Sequence, residues 1–344
     1  MTSVDATEKS PIEERFTRTS GRVHLTGTQA LVRVLVDQRR RDAEAGVRTG
    51  GFVSGYRGSP LGGLDHQLWQ SGALLQQHGI VFEPGLNEDL AATSVWGSQL
   101  TALNPRRTVD GVLGLWYGKG PGVDRSMDAL KHANAAGTSR WGGVLAIAGD
   151  DHGASSSTLA HQSDYDFIAA QIPVLAPASV AEIHRFGLLG YALSRYSGLW
   201  VGMTALTEVV EGSASIEVGP ELIAVPELGV PDDVHIRWPD PPAQMEARLS
   251  GAKRDAVARF AATGAFDTTL FRAAAPRLGI VAPGKASLAV LDALRLLGLS
   301  GEDAARMGLG LYKPGLVWPL SEAGLRAFAA GHETLLVIEE KRPV

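Results

Sequence analysis

No cysteine occurs among the 344 residues. That excludes a disulfide framework, a thiolate zinc site, a cysteine nucleophile and a cysteine-ligated iron–sulfur cluster within this sequence. No run reaches the ~18 consecutive apolar residues of a membrane-spanning helix. Charge of one sign is also lacking: 32 Lys and Arg stand against 37 Asp and Glu, a net of −5, and the basic residues are dispersed. No nucleic-acid footprint follows from such a distribution. The opening MTSVDATEKSPIEERFTRTS has no apolar core and does not read as a signal peptide. Residues 1–20 are expected to form a flexible arm on a cytoplasmic protein.

Glycine, by contrast, is plentiful: 41 residues, where an average share of ~7% would give about 24. There is no Gly-X-Y period, so the excess points to many tight strand-to-helix turns. Short apolar runs at Gly51–Ser54, Ile80–Phe82, Gly111–Trp116, Gly143–Ala148, Ile172–Leu175 and Leu199–Met203 alternate with stretches of helical spacing. Ala30, Leu31, Val34 and Leu35 mark one helix face. Leu86–Leu103 reads as another, with Asn87 as N-cap and acids in its first turn. This alternation predicts an α/β fold, a doubly wound, mostly parallel sheet. Prolines 226, 231, 239, 241 and 242 mark a boundary, a helical segment follows near 243–262, and a second α/β unit begins near 278.

Several stretches carry polar groups where strands end. Gly279–Ala286 nearly spells a phosphate loop, but Ala286 replaces the Ser or Thr that would reach magnesium, and a plain strand-to-helix turn is the better reading. Gly149–Asp164 holds Asp150, Asp151, His152, three consecutive serines and His161 directly after a buried-looking strand. Loops in that position form the ligand crevice of open α/β sheets. A hydrolase triad, a metal site or a self-satisfied loop all remain open on these residues, although Gly-x-Ser-x-Gly is absent. Tyr56–Gly63 and Tyr117–Asp124 are glycine-rich turns suited to close backbone approach or to an anion nest.

The order of these stretches is more informative than any one of them. Gly55-Tyr56-Arg57-Gly58-Ser59-Pro60, Asn87-Glu88, Gly118-Lys119-Gly120-Pro121-Gly122-Val123-Asp124, Lys131-His132-Ala133-Asn134 and Gly149-Asp150-Asp151-His152 resemble the indolepyruvate:ferredoxin oxidoreductase family. This is a branch of the thiamine-diphosphate-dependent 2-oxoacid:ferredoxin oxidoreductases. The tail Val337-Ile338-Glu339-Glu340-Lys341-Arg342-Pro343 resembles a short motif of that family's second domain.

The resemblance implies a pyrimidine-binding thiamine diphosphate domain over 21–230 and a linker with a helical segment over 231–275. It also implies the start of a transketolase C-terminal-like α/β domain over 276–344, cut short. The diphosphate-binding domain, Mg2+ and 4Fe–4S clusters are expected in missing domains or a partner chain, in a homodimer or hetero-oligomer. The expected function is oxidative decarboxylation of an indolepyruvate-like aryl or branched-chain 2-oxoacid, with electrons passed to ferredoxin and the acyl group to coenzyme A. This chain alone is expected to be inactive. By resemblance Glu88 is the catalytic acid at N1′ of the cofactor's aminopyrimidine, with Tyr56, Gly58 and Gly120 beside it as cofactor-binding residues. Ser59, Arg57, Lys131, His132, Asn134 and His152 are candidate substrate-binding residues; Arg57 stands where relatives often carry proline. No metal ligand is expected in this chain. The alternatives are a non-catalytic thiamine-fold subunit or binding protein, and a hydrolase built on Asp150–Asp164.

Overall fold

The computed structural model of the protein describes residues 11–344. In its first part the strands are β1 (Gly21–Thr26), β2 (Thr49–Gly55), β3 (Ile80–Phe82) and β4 (Gly111–Lys119). β5 (Val144–Asp150), β6 (Val174–Leu175), β7 (Trp200–Leu206) and β8 (Ser213–Val218) follow. The second part holds β9 (Thr268–Phe271), β10 (Leu278–Val281), β11 (Leu309–Lys313), β12 (Leu316–Trp318) and β13 (Thr334–Val337).

The principal sheet has seven strands in the order β12-β6-β7-β5-β4-β2-β3. Its members are parallel except β12, which runs antiparallel to β6. All of β5 is buried, and its side chains alternate between two cores. Leu145 and Ile147 pack with the helices Gly27–Glu44 and Val180–Ser197, whereas Val144, Ala146 and Ala148 pack with Glu88–Gln99 and Met127–Ala136. A period of two with both faces apolar is what a sheet covered by helices on each side requires. The helix Gly27–Glu44 starts where the sequence suggested, with Thr26 and Gln29 forming a reciprocal capping box.

A second sheet has the order β13-β10-β11-β9, with β9 antiparallel to β11. It sits over its own apolar cluster, which includes Ile280, Val290, Leu294 and Leu311. The two units are laced together rather than strung in line. β9 falls within the expected linker yet belongs to the second sheet. β12, although in the second part of the chain, completes the edge of the first, with Leu316 opposite Leu175. Within the linker, Pro242–Ala261 is helical with a π-helical stretch at Leu249–Lys253. There the buried Lys253 ammonium donates to the Ala135 carbonyl at 2.8 Å.

The flexible arm expected over 1–20 needs correction where it is described; residues 1–10 lie outside the described residues. Pro11–Thr17 is a helix, Phe16 is only 4% exposed, and the Arg33 guanidinium donates to the Arg15 and Arg18 carbonyls. A buried arginine satisfied by backbone carbonyls fixes that segment. A further unforeseen pair, β1 and β8, is antiparallel, with Gly21 opposite Val218. Among the described residues no helix is long and apolar enough to cross a membrane.

Candidate active site

The turns that leave the C-terminal ends of β2, β4 and β5 meet at one edge of the principal sheet. Parallel pairing aligns Gly55 with Tyr117 and Gly118 with Ala148, so these three strands end side by side. Glycine makes the approach of their loops close. A methyl at Gly149 would lie 2.8 Å from Leu61, and one at Gly58 would lie 2.8 Å from Lys119. The Ser59 hydroxyl shares a 2.6 Å hydrogen bond with Ser156, joining the first turn to the third. The Tyr56 N–H donates to the Tyr117 carbonyl at 3.1 Å, joining the first to the second.

Glu88 opens the helix Glu88–Gln99, where Asn87 caps the chain by accepting from the Leu90 N–H at 2.8 Å. The cap and the helix dipole explain an acid here, but not its direction. Glu88 is 5% exposed and lies against Gly118 and Gly122. Its Cγ would be 3.1 Å from a methyl at Gly118, and its Oε1 2.5 Å from one at Gly122. Trp116 donates from Nε1 to the Glu88 carbonyl at 2.9 Å, which holds the start of the helix onto β4. The carboxylate itself has no hydrogen-bond or ion-pair partner among the described residues. A glutamate so placed, over two glycines at the C-terminal end of a central parallel strand, is poised to meet a ligand donor.

The loop after β5 is a dense polar network. Asp150, fully buried, accepts from the Ser163 N–H at 2.8 Å and hydroxyl at 2.7 Å. Asp151 is held well below the usual carboxylate range by the Ser156 N–H, then the Ser155 N–H and the two hydroxyls. His161 lies between Asp124, at 3.0 Å, and Asp150, at 3.5 Å. Asp150 first, and Asp124 with it, raise the imidazole to about 9 against the opposing effect of burial. Burial, then the Asp150 charge, pushes Asp164 up to about 6. His152 pairs through Nδ1 with Glu340 at 3.2 Å, while Lys285 bridges Glu340 at 2.8 Å and Glu208 at 2.9 Å. The tail therefore docks on this loop.

These facts leave no charge-relay triad on Ser155, Ser156 or Ser163. Ser163 is fully buried with its proton on Asp150, and Ser155 and Ser156 donate to Asp151. The histidine near Ser163 is protonated at neutral pH and is no base. Lys285, the would-be phosphate-loop lysine, is committed to two carboxylates. Two groups of possible metal-ligating atoms do lie within 4.8 Å: Asp124 with His161 and Asp166, and Asp150 with His152 and Asp164.

The structure gathers Glu88, Tyr56, Gly58, Ser59 and Gly120 at the sheet edge. Arg57 is exposed there, free of hydrogen bonds among the described residues. It does not gather the helix candidates. Asn134 is corrected to a structural residue: it is fully buried, donates to the Ala170 and Gln171 carbonyls at 2.8 and 2.9 Å, and accepts from the Trp200 N–H. Every polar atom of that side chain is used, so none is left for substrate. Lys131 is exposed on the same helix. His132 stacks on Trp96 at 6.4 Å, about two turns along the helix from Glu88. His152 faces the tail. Gly122 and His161, which shape the site, were seen only as members of a glycine-rich turn and a polar loop, because sequence does not show which side chains those residues meet.

A doubly wound parallel sheet with a buried glutamate at its C-terminal edge and a second α/β unit beyond defines a thiamine-diphosphate-type α/β fold. Solved structures agree on the fold. The 2-oxoglutarate:ferredoxin oxidoreductase from Magnetococcus marinus superposes with a TM-score of 0.63 at 16% identity, over 92% of this chain and 57% of that one. Transketolase from Leishmania mexicana gives a TM-score of 0.51 at 12% identity, over 96% and 40%. Residues 268–344 match the family described as the indolepyruvate oxidoreductase domain. Curated relatives include the indolepyruvate oxidoreductase subunit IorA of Methanothermobacter thermautotrophicus, 24% identical over 95% of this chain. That of Methanothermobacter marburgensis is 26% identical over 93%. By these matches the chain is similar to indolepyruvate oxidoreductase subunits, and its residues 268–344 carry the matching domain. It spans about half the length of those relatives, 48% and 47%.

Proposed function

We propose that the chain supplies the pyrimidine-binding half of a thiamine-diphosphate-dependent 2-oxoacid:ferredoxin oxidoreductase that acts on an aryl or branched-chain 2-oxoacid. The observation that carries this reading is Glu88: a residue 5% exposed, its side chain resting on Gly118 and Gly122, with no partner for its carboxylate among the described residues. Such a cradle suits a flat, nitrogen-bearing ring. When bound, thiamine diphosphate supplies the nucleophilic carbon and electron sink of 2-oxoacid decarboxylation. Glu88 holds or gives the proton at N1′ of its aminopyrimidine. The glycines of the turn at 118–122 let the backbone approach that ring, and Tyr56 and Gly58 close the wall beside it.

Arg57, with its unengaged guanidinium, stands at the mouth of the crevice as the group to receive a substrate carboxylate, beside Ser59, which is held by Ser156. His152, tied to Glu340, borders the crevice from the tail side. Apolar side chains are left in solvent near this mouth: Leu86 is 86% exposed, Leu90 48% and Tyr56 39%. A covering diphosphate-binding partner would bury them. Mg2+, iron–sulfur clusters, coenzyme A and ferredoxin engage other parts of the assembly, a homodimer or hetero-oligomer in the cytoplasm.

The test is 2-oxoacid-dependent reduction of ferredoxin by the complete assembly, with coenzyme A present. Glu88→Ala is expected to lower the rate at least ~100-fold while leaving the melting temperature of this chain near wild type. Retained activity would overturn the assignment of Glu88. Failure of the complete wild-type assembly to bind thiamine diphosphate would overturn the function. By itself the chain is expected to show no saturable binding at micromolar thiamine diphosphate in titration calorimetry.

A further inference from the structure

The loop after β5 contains one side chain that the proposed chemistry does not use, yet it touches the turn on which Glu88 rests. Gly120 has no side chain, and the imidazole of His161 fills the space: a methyl built on Gly120 falls on the ring. Two residues further, the corresponding space at Gly122 is filled by the Glu88 carboxylate, 2.5 Å from a methyl there. The short helix Gly120–Arg125 is thus gripped on one side by His161 and meets Glu88 on the other.

His161 holds this helix at a second point. Its Nε2 lies 3.0 Å from Oδ2 of Asp124, near the helix's far end, and its Nδ1 lies 3.5 Å from Oδ1 of Asp150. Asp150 is the last residue of β5 and is itself fixed by two hydrogen bonds from Ser163. One imidazole therefore ties the turn after β4 to the end of β5. We propose that His161 is a positioning residue of the Glu88 site, its ring clamping the Gly120–Gly122 turn at the distance the Glu88 carboxylate needs. The inference rests on the reading of Glu88 as the pyrimidine acid.

Charge favours the clamp. The groups facing His161 are carboxylates, Asp124 on the gripped helix, Asp150 on β5 and Asp166 on the following helix. A doubly protonated ring keeps one N–H toward Asp124 through Nε2 and another through Nδ1 toward Asp150 and the Ser163 hydroxyl, whereas neutral imidazole supplies only one N–H. Its acid dissociation near pH 9 would loosen the turn.

The first experiment follows the Gly118, Gly120 and Gly122 amide resonances of this 344-residue chain from pH 6 to 10. In the wild type all three should shift through one transition near pH 9. The transition should vanish in His161→Gln and persist in Glu88→Gln, because the clamp does not require the glutamate. Wild-type glycine resonances that do not titrate with the imidazole overturn the clamp, and this readout needs no variant to fold. The second readout is kinetic, in the complete assembly. His161→Gln should lower kcat about tenfold, leave KM for the 2-oxoacid near wild type, and abolish the loss of rate above pH 9. A wild-type pH profile in His161→Gln overturns the proposal. Full activity in Glu88→Gln would instead refute the reading of Glu88, while leaving the glycine titration as it is.

Discussion

Replacing Gly122 by alanine tests the contact between the turn and Glu88 directly. Gly122 lies in the helix Gly120–Arg125, and its φ is not in the left-handed region. The backbone therefore accepts alanine without strain. The new methyl would stand 2.5 Å from Cγ and Oε1 of Glu88 and 2.7 Å from Cδ. Non-bonded carbon atoms rest at ~3.5–4.0 Å, so the carboxylate must retreat by about 1 Å. It is the end of a flexible side chain and can do so. The fold then carries an overpacking cost of ~1–3 kcal/mol, offset by up to ~1 kcal/mol from the better helix propensity of alanine. Net destabilisation should stay near or below ~2 kcal/mol. Catalysis is far more sensitive, since a 1 Å misplacement of a reacting group can cost ~100-fold. Steady-state 2-oxoacid oxidation by the complete assembly is the assay, with Gly97→Ala as control. Gly97 sits on the same helix as Glu88 and has open space around its missing Cβ, so that variant should match wild type. Activity of Gly122→Ala within twofold of wild type would show that Glu88 does not act from the observed position.

Other outcomes follow from the same geometry. Asn134→Ala leaves the Ala170 and Gln171 carbonyls and the Trp200 N–H unpaired in the core; thermal denaturation should show a loss of ~3 kcal/mol, against less than ~0.5 kcal/mol for the exposed Lys131→Ala. Asp164, raised from 3.8 to about 6 by burial and then by Asp150, favours folding in its protonated form. Its contribution is complete below pH 3.8 and lost as pH rises through about 6, so Asp164→Asn should raise the melting temperature at pH 7.5 and leave it unchanged near pH 3.5. His161, raised from 6.5 to about 9, contributes stability that is complete below pH 6.5 and lost as pH rises through 9. The melting temperature of His161→Gln should lack that decline. Finally, Gly120→Ala should destabilise the wild type more than it destabilises His161→Ala, where the ring that blocks the methyl is gone; equal effects would contradict the contact.

How much of this was legible in the sequence depended on whether a residue belonged to a local pattern. The apolar runs at 51–54 and 144–148 announced their strands because both faces of the sheet are covered. Asn87 followed by two acids announced a helix start, and so placed Glu88. β12 was not legible: three residues, Leu316–Trp318, are too few for a period, and their partner β6 lies far back in the chain. β1 was hidden because Thr26, its last residue, is also the helix cap. Asn134 looked like a polar group available to substrate, since sequence cannot show that two carbonyls and an N–H already claim it. Gly120 and Gly122 were visible as a flexible turn, but not as two sockets, one for His161 and one for Glu88. Those sockets arise only when loops from different strands meet.

The central claim is that Glu88 serves the aminopyrimidine of the cofactor, and the most direct measurement is exchange of the thiazolium C2 proton for deuterium in the complete assembly. Wild-type protein should accelerate exchange, and Glu88→Ala should slow it by ~100-fold or more with the chain still folded and thiamine diphosphate still bound. Exchange at the wild-type rate in folded, cofactor-loaded Glu88→Ala would contradict the account.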